Sequence, residues 1–273
     1  MTTLTTSSPA RFGDLIAAEW IKTRSLRSTW WTIALAVLFV IGSAAVAALA
    51  DYRNLAAAGP PAHRPADFLP FDAFPEPGYL TLMLVAGGVG AITVVSEYSS
   101  GLIRTTTVAV PARGQVVVAK ATVTAAVWTV VGTAVATGSF LVSQAILDGR
   151  HAGVPITHPG VARALVVSAL LAPVCALTGL GLGVLIRHGA ATMATSAFTL
   201  LMLPTVFSQT KRWSADVNHL MVVSAWHRLV QNWAPDPDAP MFSATVPGSW
   251  AVYALWPLTA VAVAVLVIGK RDV

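Results

Sequence analysis

Few residues in this 273-residue chain have the types and spacings that do chemistry. The histidines are His63, His151, His158, His188, His219 and His227, and they are scattered among predicted loops. No HExxH or paired-cysteine pattern puts two metal ligands on one face. They read as solvated loop histidines rather than as a metal site. No GxxxxGK(S/T) phosphate loop occurs, and Gly269-Lys270 lacks the upstream glycine. No GxSxG elbow occurs, and the serines have no evident buried His/Asp pair. The single cysteine, Cys175, lies inside an apolar run, where it reads as a small buried hydrophobe. The chain is therefore not expected to be an enzyme, nor to bind a cofactor or metal directly.

One stretch stands out for a different reason. SEYSSGLIRTTTVAVPARGQVVVAK, residues 96–120, is short, basic and Thr-rich, with apolar sequence on both sides. Glu97 and Tyr98 end the apolar run before it. Gly101 permits a sharp turn. Residues 102–110 allow a short surface helix carrying Leu102, Ile103, Val108 and Val110. Pro111 then breaks it, and Arg113 and Lys120 anchor the next apolar run. Two readings stay open: a plain basic loop, or a docking helix for a partner.

The elements around this stretch belong to a membrane. Hydrophobic residues make up 55% of the chain, charged residues only 11%, and mean hydropathy is +0.70. A soluble domain carries about 25% charged residues, so a water-facing surface could not be covered. A hydrocarbon core takes about 20 apolar residues of helix. Six runs qualify, near 30–50, 78–95, 116–143, 161–186, 190–207 and 246–268, within a single domain over 1–273. Arg187-His188-Gly189 is read as a tight turn between the fourth and fifth; the alternative merges or drops one. The roughly thirty residues before the first run, with acids mixed in, do not read as a cleaved signal. With the N-terminus inside, the inner segments hold ten bases and four acids, the outer ones seven bases and eight acids. That bias places both termini in the cytoplasm. The basic residues sit at the ends of apolar runs rather than on one aromatic-laced face, which argues against nucleic acid.

Two stretches outside the spans look amphipathic. Ser8-Pro9 reads as a helix start, with Phe12, Leu15, Ile16 and Trp20 on one face and Arg11, Asp14, Lys22 and Ser25 largely on the other. Trp20 suits the headgroup level; Lys22, Arg24 and Arg27 suit an anionic leaflet. This is either a simple anchor or an elbow that also touches a partner. The second, VNHLMVVSAWHRLVQNW, has Val217, Leu220, Met221, Leu229, Val230 and Trp233 at spacings of three and four. It lies on the outer surface or dips in and returns. Within the spans no ionisable residue sits at a centre, where an ion-coupled carrier would place one. Gly179, Gly181 and Gly183, and AGGVGA at 86–91, offer small surfaces for close helix packing. Pro173, Pro204 and Pro257 are candidate kinks.

In their order and spacing, AEWIKTRSLRSTWW, SEYSSGLIRTTTVAVPARGQVVVAK and the terminal GKRDV resemble permease subunits of type-2 ABC exporters. The resemblance runs along nearly the whole chain. It implies an all-α fold: an elbow helix, six transmembrane helices, a cytoplasmic coupling helix between spans two and three, and re-entrant helices between spans five and six. Glu97, Tyr98, Gly101, Leu102, Ile103, Arg104, Thr105 and Arg113 then fall in the ATPase-coupling interface. Glu19, Trp20, Lys22, Arg24 and Arg27 fall in the elbow. ATP and Mg are implied on two copies of a separate ABC ATPase subunit, and a second permease half completes a homodimer or heterodimer in a bacterial inner or plasma membrane. The rival expectations are an ATP-independent transporter and a non-transporting scaffold or immunity protein. The family exports chemically diverse cargo, so the resemblance fixes no substrate.

Overall fold

The computed structural model describes residues 11–57, 68–102, 113–233 and 241–270. All regular structure among them is helical. In chain order the helices are α1 (Phe12–Ser25), α2 (Arg27–Ala57), α3 (Pro70–Ala73), α4 (Glu76–Ser99), α5 (Arg113–Asp148), α6 (Val161–Ile186), α7 (Gly189–Ala197), a π-helical turn (Phe198–Met202), α8 (Leu203–Val206), α9 (Arg212–His219), α10 (Val222–Val230) and α11 (Val246–Lys270). Six of these stretches are long and apolar enough to cross a bilayer: α2, α4, α5, α6, α7 through α8, and α11. The chain is thus an all-α, multi-pass membrane protein. The six spans fall where hydropathy put them, and the 116–143 run extends outward to Arg113 and Asp148.

The fifth span is irregular for a local reason. Pro204 has no N–H and crowds the carbonyl four residues back. The chain meets this with the π-helical turn just before it. The turn between spans four and five is as tight as expected. Arg187 takes the left-handed conformation, φ +59°, and the His188 side chain accepts the Ala191 N–H at the start of α7.

α4 and α6 form the centre, with about two-thirds of each span buried (61% and 67%), whereas under a third of α2, of α7 through α8 and of α11 is enclosed. The two small-residue patches pack against each other. A Cβ on Gly179 would overlap the Gly87 carbonyl, and one on Gly90 would overlap the Ala176 carbonyl. Backbone-on-backbone approach replaces side-chain interlock here, as small residues allow between helices in lipid. Span threonines donate to their own helices, as Thr178 does to the Val174 carbonyl and Thr122 to the Val118 carbonyl. Cys175 is buried with a free thiol.

Two expectations for α1 change. Ser8-Pro9 lies outside the described residues, but Arg11 is extended (φ −81°, ψ 154°), so α1 begins at Phe12 rather than at Pro9. The Asp14 carboxylate accepts the Arg11 N–H at 2.9 Å and sets that start. The buried face is also rotated. Leu15 and Glu19 are enclosed, while Phe12 and Trp20 stay exposed. Glu19, placed by hydropathy on neither face, is what holds α1 down.

Candidate functional site

The site is built where three helix ends meet: α1, the C-terminal end of α4 and the N-terminal end of α5. Glu19 sits four residues after Leu15 on the inward face of α1. Lys22 follows at helical spacing and reaches back over the same face. Glu97 lies two residues from the end of α4, and Lys120 two turns into α5. Lys120 is thus no surface anchor: it is 7% exposed, Glu19 4% and Glu97 7%.

These four groups form a closed network. Lys120 Nζ lies 2.5 Å from Glu19 Oε2 and 2.9 Å from Glu97 Oε1. Lys22 Nζ lies 2.7 Å from Glu19 Oε1 and 2.8 Å from Glu97 Oε1. Two ammonium and two carboxylate groups cancel. Buried charge is tolerable only when paired and hydrogen-bonded, and removing one partner leaves another uncompensated. Burial pulls the Lys22 ammonium down, but the carboxylates of Glu19 and Glu97 outweigh it and hold Lys22 above the ordinary lysine range. The network joins partners 23 and 101 positions apart in sequence.

A cavity of about 330 Å³ opens beside it, lined by all four charged residues and by Thr23, Ser25, Leu26, Thr29, Ile33, Val89, Thr93, Ser96, Ser100, Leu102, Thr124, Val127 and Trp128. Its floor is apolar and its rim is hydroxylated. The rim is the end of the bundle where α4 stops. Gly101 follows there at φ +72°, a left-handed conformation that suits glycine. Nearby, the Arg187 guanidinium stacks 4.9 Å from the Tyr98 ring centroid.

Of the residues singled out for the 96–120 segment, Glu97, Tyr98, Gly101, Leu102 and Arg113 are described, whereas Ile103, Arg104 and Thr105 lie outside the described residues. Glu97 enters the network; Leu102 lines the cavity, and Arg113 opens α5, partly buried. Of the elbow set, Glu19 and Lys22 enter the network, whereas Trp20, Arg24 and Arg27 are exposed. Sequence reasoning missed Lys120 as a partner. The signal was there: a lysine seven residues inside an apolar helix, opposite a glutamate at the end of the preceding one.

The far end of the bundle is built differently. The stretch read as one amphipathic segment is two helices, α9 and α10, broken at Leu220-Met221. Leu220 and Trp233 point outward, but α10 buries Val222, Ala225, Trp226, Leu229 and Val230. The Trp226 ring stacks on Tyr79 at 5.2 Å, and its N–H donates to Ser168 Oγ at 3.2 Å. Phe68, Phe74 and Phe140 continue the aromatic layer edge to face. His227 is no loop histidine: it lies on α10, 3.6 Å from Glu76, and burial holds it below its ordinary range. Among the described residues no group of three or more His, Cys, Asp or Glu is placed to hold a metal.

Compared with known proteins, the chain matches no protein-family model and no curated sequence.

Proposed function

We propose that the chain is the membrane-spanning permease subunit of an ATP-driven exporter of the type-2 ABC class. It forms half of a paired translocation path and leaves ATP and Mg to separate ATPase subunits. Beyond the resemblance in sequence, one observation carries this reading. Glu97 and Lys120 stand at the two flanks of the 96–120 segment, and both are tied to α1 through Glu19 and Lys22. A push on that segment by a docked ATPase would reach α1, α4 and α5 together, because none of the three enclosed charges, Glu19, Glu97 and Lys120, can leave the network alone without a large penalty. Both termini are cytoplasmic in this reading, with α10 as an outer segment folded back onto the bundle.

The test is co-purification from membranes with a candidate ABC ATPase, beside membrane abundance. Ile103→Asp removes an apolar anchor of the docking segment. Interface anchors cost about 2 kcal/mol or more on truncation, and rim charges less. Ile103→Asp is therefore expected to strip the ATPase and abolish export at normal abundance, whereas Arg113→Ala weakens export only modestly. Full ATPase retention and export by Ile103→Asp would sink the coupling assignment. Orientation has its own check in a Cys175→Ser background. A cysteine replacing Ile156, which is 58% exposed in the α5–α6 connection, should react with an impermeant reagent from outside intact cells.

A second reading has one specific observation in its favour. Glu97 is an enclosed carboxylate beside a cavity, as in ion-coupled carriers. It requires export by the purified chain alone, driven by an ion gradient in liposomes; dependence on the ATPase excludes it.

A further inference from the structure

The network leaves an opening that its own pairing does not explain. Both lysines converge on Oε1 of Glu97. Oε2 of Glu97 makes no hydrogen bond among the described residues and stays open to the cavity. The hydroxyls on the rim point the same way chemically. Thr23 donates to the Glu19 carbonyl, Ser25 to Lys22, Thr93 to Gly90 and Ser100 to Ser96. Each hydroxyl has one proton. With it spent on their own helices, these four side chains offer the cavity lone pairs only, whereas Thr29, Ser96 and Thr124, which also line it, make no side-chain hydrogen bond among the described residues and can accept as well as donate. Together with Glu97 Oε2, these acceptors suit a ligand that carries N–H donors. Of the two lysines that line the cavity, Lys22 is the accessible one: its side chain is 34% exposed against 8% for Lys120, and it has a third N–H beyond the two that meet the carboxylates.

The net charge of the network narrows the ligand further. The four groups sum to zero. A net cation or anion brought beside them would add a charge without a counterpart in a poorly hydrated place, and that costs. A zwitterion adds none. Below the rim, Ile33, Val89, Val127 and Trp128 make an apolar wall. The volume, about 330 Å³, lies at the lower end of the range for small-molecule sites. The cavity lies at one end of the spans, beside α2, a helix that leaves most of its surface to lipid.

We propose that this cavity is a binding site for an aminophospholipid: the primary ammonium meets Glu97 Oε2 and the rim hydroxyls, the phosphate meets Lys22, and the upper part of a chain lies on the wall formed by Ile33, Val89 and Trp128. A quaternary ammonium headgroup has no N–H to give, and a glycerol headgroup has no positive charge. The site therefore discriminates between headgroups, not chains. Bound lipid splints α1 to α4 at the place where the charge network already joins them. The proposal requires no ATPase and stands apart from the permease reading.

Native mass spectrometry of the full chain in mild detergent tests it. Phosphatidylethanolamine, phosphatidylcholine and phosphatidylglycerol of identical chains are added as an equimolar mixture. The expected result is one tightly held phosphatidylethanolamine, preferred about tenfold over either competitor, an energy difference of about 1.4 kcal/mol. Glu97→Gln should erase the preference. Because that variant also disturbs a buried pair, Val89→Trp provides an independent arm: it fills the cavity and keeps all four charges. It too should erase the preference, and Thr93→Val should reduce it severalfold with almost no change in volume. Equal retention of the three lipids, or a preference that survives Val89→Trp, overturns the site. Displacement of the lipid by an equal concentration of dodecylammonium would show that the ammonium alone is read, and would overturn the zwitterion assignment.

Discussion

The two ends of this helical bundle solve the same problem with opposite chemistry. At one end, α1, α4 and α5 are joined by four buried charges around a cavity. At the other, α4, α5, α10 and the residues on either side of α3 are joined by stacked and edge-on aromatic rings, and α6 joins them through Ser168, which accepts the Trp226 indole N–H. Ion pairs are geometrically demanding and fail together when one member is lost. Aromatic packing is tolerant in chemistry but not in volume. The charged end therefore has the character of a joint with few arrangements, and the aromatic end that of a plug. The middle is neither: there α4 and α6 touch backbone to backbone through Gly87, Gly90 and Gly179, so α4 is fitted closely to its partner between the two ends.

The sharpest way to break the contrast is to remove Lys120. Lys120→Met keeps the length of the side chain but leaves two carboxylates facing Lys22 alone. Breaking a buried pair costs about 3–5 kcal/mol, and unfolding in micelles should show a loss of that size. Adding Glu97→Gln restores neutrality, so the double variant should recover a substantial part of the loss. If the double variant is no better than Lys120→Met, the network is held by shape rather than by charge balance.

At the aromatic end the loss should follow volume alone. Trp226→Ala opens a hole beneath Tyr79, and large-to-small changes of this kind cost about 3–5 kcal/mol. Relaxation of the short helix α10 should put the figure at about 3 kcal/mol. Trp226→Phe should regain most of it, although Ser168 loses its donor. A loss that varied with salt would contradict the comparison. Lys22→Met, back at the charged end, is a smaller step. Lys22 is a third exposed, so water screens it, and the expected loss is about 1 kcal/mol. If Lys22→Met costs as much as Lys120→Met, burial is not what ranks the two lysines.

Much of this architecture is legible in the sequence because a bilayer imposes a simple rule. A span must be long and apolar, and 30–50, 78–95, 161–186 and 246–268 announce themselves by that rule alone. Gly179 and the AGGVGA patch also mark the α4–α6 seam, since small residues at helical spacing in an apolar run have few other uses. What composition cannot supply is pairing. Lys120 reads as a span anchor because hydropathy registers only that it is charged; Glu19, 101 positions away, becomes its partner only once α1 folds against α5. Trp226 is hidden for a related reason: an amphipathic period tells which side of a helix is apolar, but not whether lipid or protein covers it. The charge bias of segment 96–120 was visible, and its anchoring at both flanks was not.

The smallest expected effect separates the ends by pH. Asp72, on α3 at the aromatic end, has Oδ2 enclosed without a hydrogen-bond partner among the described residues. Burial, and then the Asp51 carboxylate, push Asp72 up to about 6 from an ordinary 3.8. The folded state thus holds this proton more tightly than the unfolded state does. Its contribution to stability is whole below about pH 4 and is lost as pH rises to about 6. His227 acts with the opposite sign: held low by burial, it favours the folded state more as pH rises through its ordinary range. The slope of the parent protein is therefore a difference of two effects, and the informative quantity is the parent minus Asp72→Asn, in which His227 cancels. Asp72 is partly exposed, so water screens the effect and it is worth about 1 kcal/mol. Asp72→Asn should match the parent near pH 4 and exceed it by about that amount at pH 7, as read from unfolding midpoints across the range. The charged end contributes nothing of this kind through Lys22, whose raised proton affinity keeps it charged throughout that window. A parent-minus-variant difference that stays flat from pH 4 to 7 would mean that water reaches Asp72, and that the aromatic end is less tightly sealed than the rings around Tyr79 imply.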